Sequence, residues 1–139
     1  MSELVRFSVA IPQELLSQLD QLAARRGLRK NRSELIRDLI RQSIVEDQWT
    51  DPDASIIGTL SIVYDHSTPD LQKKLDRILL TAHEKIISSM RIHLDEENCL
   101  EVIAMRGRSA EISHLAESLL GVKGVKHGCL TSTTTGGAL

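Results

Sequence analysis

Aromatic residues are nearly missing from this sequence: Phe7, Trp49 and Tyr64 are the whole set among 139 residues. A row of rings on which single-stranded bases could stack is thereby excluded. Only two cysteines are present, Cys99 and Cys129, too few for a disulfide scaffold and suited to a reducing cytoplasm. No apolar run approaches the ~20 residues of a membrane span, and the opening residues lack a secretory pattern. Neither sign of charge dominates: 17 Lys+Arg face 19 Asp+Glu, a formal net charge of -2. A basic coat that grips any nucleic acid is therefore excluded, while a local patch is not. What remains is the composition of a globular chain, 41% hydrophobic and 26% charged, long enough for one ordinary domain or two small ones.

The charge that exists is concentrated. Between residues 25 and 41 stand Arg25, Arg26, Arg29, Lys30, Arg32, Arg37 and Arg41, opposed only by Glu34 and Asp38. Alone, such a run is equally a solvated helix face. Its surroundings give it more meaning. Residues 3–11 alternate, with Val5, Phe7, Val9 and Ile11 on one side and Arg6, Ser8 and Ala10 on the other, which is the period of a strand. Pro12 suits the first turn of a helix carrying Leu15, Leu16, Leu19, Leu22 and Ala23, and Gly27 suits its left-handed stop. Asn31-Arg32-Ser33-Glu34 reads as a capping box that opens a second helix, with Leu35, Ile36, Leu39, Ile40 and Ile44 at helical spacing.

One strand and two helices in ~45 residues cannot close a core, and a lone strand leaves an edge that invites a second copy. Two antiparallel copies make a ribbon backed by four helices, whose outer face shows Arg6, Ser8 and Ala10 twice. A two-stranded ribbon fits the major groove of duplex DNA. There arginine can donate two hydrogen bonds to guanine, serine can serve several bases, and alanine can only touch a thymine methyl. The free backbone N–H groups at the second helix's start (Asn31, Arg32, Ser33), beside Arg29 and Lys30, suit phosphate. RFSVAIPQELLSQLD followed by RRGLRKNRSELIRDLIRQSI resembles the ribbon-helix-helix repressors over residues 3–45. The resemblance implies base-reading positions for Arg6, Ser8 and Ala10.

EDQWTDPDA at 46–54 is acidic with a central proline and reads as a connector. Domains are expected at 1–48 and 55–133, with a linker at 49–54 and a tail at 134–139. The pattern predicts a strand at 56–65 and a helix at 69–86, with Leu71, Leu75, Ile78, Leu79 and Ala82 on one stripe. Strands at 88–94 and 99–106 flank Asp95-Glu96-Glu97, then come a helix at 109–120 and a strand at 125–131. The order βαββαβ is the ferredoxin-like split unit, and the expected class is α+β. In the middle strands Met90, Ile92 and Leu94 alternate with Ser89, Arg91 and His93, while Leu100, Val102 and Ala104 alternate with Cys99, Glu101 and Ile103. Matching the two apolar rows as the core face pairs His93 with Cys99 and Arg91 with Glu101. It also sets an imidazole and a thiol on the face away from this domain's helices. Nitrogen and sulfur together suit nickel, copper or zinc, although two ligands do not complete a site.

TLSIVYDH (59–66), IISSMRIHLDEENCLEVIAMRG (86–107) and GVKHG (124–128) extend the resemblance to most of the chain. Together with the first segment they are similar to the nickel-responsive transcriptional regulators, in which a ribbon-helix-helix domain is joined to a ferredoxin-like (ACT-type) regulatory domain. The resemblance implies double-stranded operator DNA as partner, a dimer through the ribbon and a tetramer through the regulatory domains. It also implies a square-planar nickel site of three histidines and one cysteine, shared by two subunits. His93 and Cys99 match two of those ligands; Arg91 and Leu80 stand at the other two positions. A guanidinium cannot ligate a dication and leucine has no donor, so nickel binding is expected to be weak or absent. Arg91 is expected to pair with Glu101, either as a built-in cation in the vacated pocket or as an ordinary cross-strand ion pair.

Leu80 falls opposite the apolar stripe of its helix, which suggests contact with another subunit. His83, one turn on, is a disfavoured substitute ligand. His66 and His127 match family motifs and read as structural hydrogen-bonding residues, and His114 as solvent-facing. Glu34 and Asp38 match carboxylates that in the family hold a second cation; a solvated face balancing Arg37 and Arg41 is the plainer reading. Two other functions stand beside the first: the same DNA-binding regulator answering to another metal or a small molecule, and a ligand-sensing module that binds no DNA. The basic run and the Arg6/Ser8 pair oppose the last. An enzyme is not expected, since no nucleophile–base pair, phosphate loop or complete catalytic metal set is present.

Overall fold

A computed structural model of the chain describes residues 3–26, 31–137 and 139. The elements are α1 (Gln13–Arg25), α2 (Arg32–Thr50), β1 (Ser55–Asp65), α3 (Leu71–Thr81), a single 3-10 turn (His83–Lys85), β2 (Ile86–His93), β3 (Asn98–Arg108), α4 (Ser109–Leu120) and β4 (Val125–Thr133). The chain divides into two compact units, Met1–Gln42 and Ser43–Leu139.

In the first unit, residues 3–11 form no strand within the single chain, and all of them are exposed. A strand needs a hydrogen-bonded neighbour, and the neighbour expected here is a second molecule. Leu4, Val5, Phe7 and Val9 are between 65% and 90% exposed, an unusual display of apolar surface for one short segment. At Pro12 (φ -59°, ψ 146°) the extended run ends. Its carbonyl accepts the Leu16 N–H at 3.1 Å, which starts α1. No residue of α1 is buried, and Leu35 is the only buried one in α2. The predicted cap is formed: Asn31 Oδ1 accepts the Glu34 N–H at 2.8 Å. Arg32 grips Asp20 with two parallel bonds, Nε to Oδ1 and Nη2 to Oδ2, each 2.9 Å, and so joins α1 to α2. Gly27, Arg29 and Lys30 lie outside the described residues.

The connector is shorter than its composition suggests, because α2 runs on to Thr50. Trp49 packs against the second unit's core and donates from Nε1 to the Thr133 carbonyl at 3.1 Å. The helix stops where Pro52 disfavours helical backbone at Asp51.

The second unit is a four-stranded antiparallel sheet in the order β2-β3-β1-β4. Its core joins Leu60, Ile62 and Tyr64 of β1 and Cys99, Ile103 and Met105 of β3 to Leu71 and Leu75 of α3 and Ile112, Leu115 and Leu119 of α4. The expected register is found, Arg91 opposite Glu101 and His93 opposite Cys99. The expected faces are reversed. Cys99 and Glu101 are buried, whereas Met90, Ile92 and Leu94 are 38–58% exposed. The central strand decides this: buried Tyr64, Ile62 and Leu60 stand opposite Cys99, Glu101 and Ile103. The apolar row of the edge strand β2 thus belongs to the other, uncovered face, along with Leu100, Val102 and Ala104.

The helix predicted for 69–86 ends at Thr81. Ala82 turns the backbone (φ -101°, ψ 20°), and His83 Nδ1 lies 3.1 Å from the Leu80 carbonyl, meeting one of the helix's orphan acceptors. The return to β4 needs glycine: Gly124 has φ +103°, and a Cβ there would lie 2.5 Å from Leu71 Cδ1 and 2.8 Å from Thr68 Oγ1. Gly124→Ala is therefore expected to lower the stability of the second unit by about 1–2 kcal/mol, read as a shift of the urea midpoint.

Candidate metal centre and its surroundings

The turn between β2 and β3 sets the first wall of the site. Asp95 accepts the N–H groups of Glu97 and Asn98 at 2.8 Å each and the Asn98 side-chain amide at 3.0 and 3.2 Å. The Asn98 side chain first, and then these backbone donors, hold the Asp95 carboxyl down at about 2. The ordered turn offers its carbonyls to the residue that follows β1. His66 N–H donates to Glu97 O at 2.9 Å, and its Nε2 faces Glu96 O.

The register does the rest. His93 and Cys99 are direct cross-strand partners, so Nδ1 and Sγ are 3.2 Å apart. Tyr64 is opposite Cys99 on the other side, so His66, two residues on, arrives at the same end of the sheet. The rings of His66 and His93 meet edge to face, centroids 5.9 Å apart at 86°. One ligand atom from each of His66, His93 and Cys99 lies within 4.8 Å of the others, the thiol buried and both imidazoles exposed. For metal–nitrogen and metal–sulfur bonds of about 2.1 and 2.3 Å, donors stand about 3.1 Å apart at a right angle and about 3.6 Å apart at a tetrahedral angle, a range that includes the His93–Cys99 separation. The bonds of His66 to the Glu96–Glu97 turn agree with its reading as a structural hydrogen-bonding residue. Its nearness to His93 and Cys99 has no local signal in the VYDH run, because those two residues come from strands about thirty residues away.

Beside this cluster lies a second polar group. Arg91 Nη2 is 3.4 Å from Glu101 Oε1 and 3.5 Å from Asp76 Oδ1, bridging β2, β3 and α3. Glu101 is 2% exposed; its other oxygen accepts the Tyr64 hydroxyl at 3.3 Å, which also lies 3.4 Å from Gln72 Oε1. Burial first, then the Glu101 charge, pushes the Tyr64 hydroxyl up to about 12, so it stays a donor. Burial pulls against the charge on Arg91, but Glu101, Tyr64 and Asp76 outweigh it and raise its pKa.

The expected ligands of a four-donor nickel set are only half present in this chain. His93 and Cys99 supply nitrogen and sulfur, Arg91 is committed to carboxylates, and Leu80 is 74% exposed with no donor to offer. His83 is turned to the Leu80 carbonyl and joins no ligand cluster among the described residues. His127 stands opposite Val63 on the uncovered face, and His114 is exposed on α4.

The predicted DNA contacts are exposed where described: Arg6, Ser8, Ala10, Asn31, Arg32 and Ser33. Asn31 is engaged as a cap and Arg32 by Asp20. Glu34 is exposed, and Asp38 is 3.5 Å from Arg41. Neither belongs to a cluster of three ligand groups among the described residues.

Two outcomes follow from these networks. Arg91→Ala strands a buried carboxylate; discounted for the partial exposure of the guanidinium, the cost in chemical denaturation is about 1–2 kcal/mol, and adding Glu101→Gln restores part of it. Asp95, with its pKa depressed from 3.8 to about 2, contributes stability that is full above its unfolded value and lost as pH falls through its folded one. Asp95→Asn should flatten the acid limb of the stability profile in that window, as measured by urea titrations from pH 5 down to pH 2.

Known proteins share both units. Residues 57–133 match the family described as the NikR C terminal nickel binding domain, and residues 5–47 match ribbon-helix-helix proteins of the copG family. A relative from Solibacter usitatus is 48% identical over 136 residues, covering 98% of this chain and 97% of its own length. One from Geobacter sulfurreducens has the same identity and coverage; both carry the provisional name of nickel-responsive regulator. A solved structure of an uncharacterized protein from Thermotoga maritima covers 58% of this chain and 99% of its own, with a TM-score of 0.52 and 16% identity, and speaks for the fold alone. The chain thus belongs to the nickel-responsive regulator family, and it is a DNA-binding transcriptional regulator rather than an enzyme.

Proposed function

We propose that this regulator works in the cytoplasm as a dimer through residues 4–10, which pair in an antiparallel ribbon and read operator DNA with Arg6 and Ser8, helped by Ala10. The observation that carries this reading is the exposed row of Val5, Phe7 and Val9 alternating with Arg6 and Ser8. Burying each such apolar side chain against a partner contributes about 1.5–3 kcal/mol. Arg29, Lys30, Asn31, Arg32 and Ser33 hold phosphates beside the groove. Met90, Ile92 and Leu94 on the uncovered sheet face supply the surface through which regulatory units associate, giving a tetramer.

The regulatory unit answers to a cation bound near His93 and Cys99, with nickel held weakly because Arg91 and Leu80 replace donors. A metal-free variant of the reading draws on Arg91 itself: a guanidinium fixed by Glu101 and Asp76 is already a cation in place.

Binding to DNA selected from a random pool tests the reading. Arg6→Ala should lose about 1–3 kcal/mol of discrimination for the preferred site while the fold persists; unchanged sequence preference refutes the ribbon. Phe7→Asp should reduce the sedimenting species from the tetramer to the assembly held by the regulatory units alone, and abolish specific binding. Adding nickel to the native chain should leave operator affinity nearly unchanged at concentrations that saturate a four-donor site.

A further inference from the structure

We propose that His66, His93 and Cys99 of a single chain form a binding site for a closed-shell, thiophilic d10 cation, zinc(II) or copper(I), in place of square-planar nickel. The assignment deepens the reading of this unit as a metal-responsive domain and rests on it for its regulatory meaning, but the binding event itself does not.

Three arguments support it. The donor set is two imidazoles and a thiol whose ligand atoms already lie within 4.8 Å of one another. A square-planar d8 ion needs four donors in one plane, and the two positions that supply the others in the family hold Arg91 and Leu80. A d10 ion has no such demand; three protein ligands and an open fourth position are a familiar arrangement for it. Both imidazoles are exposed, so that fourth position opens to water.

The protonation pattern is also prepared. His66 Nε2 faces the Glu96 carbonyl, which accepts and does not donate. The ring proton therefore sits on Nε2 and the other nitrogen keeps the lone pair that a metal needs. Cys99 is buried with His93 Nδ1 as its hydrogen-bonding neighbour. Arg91 stands two residues from His93 on the same face. Its own charge is already balanced by Glu101 and Asp76, so it does not repel the ion as a bare guanidinium would. Because Leu80 offers no donor, the site is complete without the partner subunit's helix, and one ion per chain is expected whatever the oligomeric state.

The full-length chain in a Cys129→Ser background leaves Cys99 as the sole thiol. Zinc(II) is titrated against a chromophoric chelator, copper(I) against its own chelator, and nickel(II) is followed by its thiolate charge-transfer absorption. Cobalt(II) reports coordination number. The expected result is one zinc or one copper(I) per chain, tighter than nickel, with intense visible cobalt bands of a four-coordinate thiolate site. His66→Gln, a change at an exposed position, should lower that affinity by about 10–100-fold or more, the scale on which even the partners of ligands act. Which of the two ions binds tighter identifies the cation. Unaltered affinity in His66→Gln, binding of neither ion, or nickel bound tighter than both overturns the proposal. Operator binding is measured on the same samples: its loss with metal binding intact refutes the regulator reading alone, and the reverse pattern refutes only this site.

Discussion

The buried carboxylate of Glu101 needs a cation, and Arg91 reaches it from the neighbouring edge strand. Much of the regulatory unit's chemistry is arranged around that requirement. The same guanidinium holds Asp76 of α3, and the same carboxylate fixes the Tyr64 hydroxyl in the core. Two strands and a helix are thereby joined through polar groups on the covered face of a sheet, where an unpaired charge is costly. An arginine so occupied cannot be a metal ligand, and this separates the chain from what its family resemblance implies. The imidazole–thiol pair of His93 and Cys99 stands two residues further along the strands, and the end of β1 brings His66 beside it.

The two units differ in how far they satisfy themselves. Ser43–Leu139 closes a core of its own, with Leu60, Ile62, Tyr64 and Ile103 fully buried between sheet and helices. Among its described residues Met1–Gln42 does not: α1 buries nothing, and the apolar row before it faces water. That contrast is physical support for a first unit whose fold is finished only by association, as a strand–helix–helix segment of its length requires.

Much of this was legible in the sequence. The order of elements from α1 to β4, the Asn31 cap and the cross-strand partners of Arg91 and His93 followed from periodicity and from matching alternate rows. Which face is covered was not legible, because an edge strand that meets another surface carries an apolar row indistinguishable from a core row. Met90, Ile92 and Leu94 looked like core for that reason. The end of α3 was hidden because Ala82, Glu84 and Lys85 are all good helix formers, and the break comes from the turn into β2. The nearness of His66 to His93 and Cys99 was hidden because it depends on where three strands end, which no local pattern encodes.

The bidentate bond between Arg32 and Asp20 has a further bearing on electrostatics. Two of the five guanidinium N–H groups are spent on the carboxylate, and three remain on Nη1 and the outer side of Nη2. A phosphate met by those three would keep Asp20 as its neighbour, and the carboxylate would cancel much of the attraction that Arg32 supplies. In the proposed DNA contact Arg32 would therefore add orientation more than affinity.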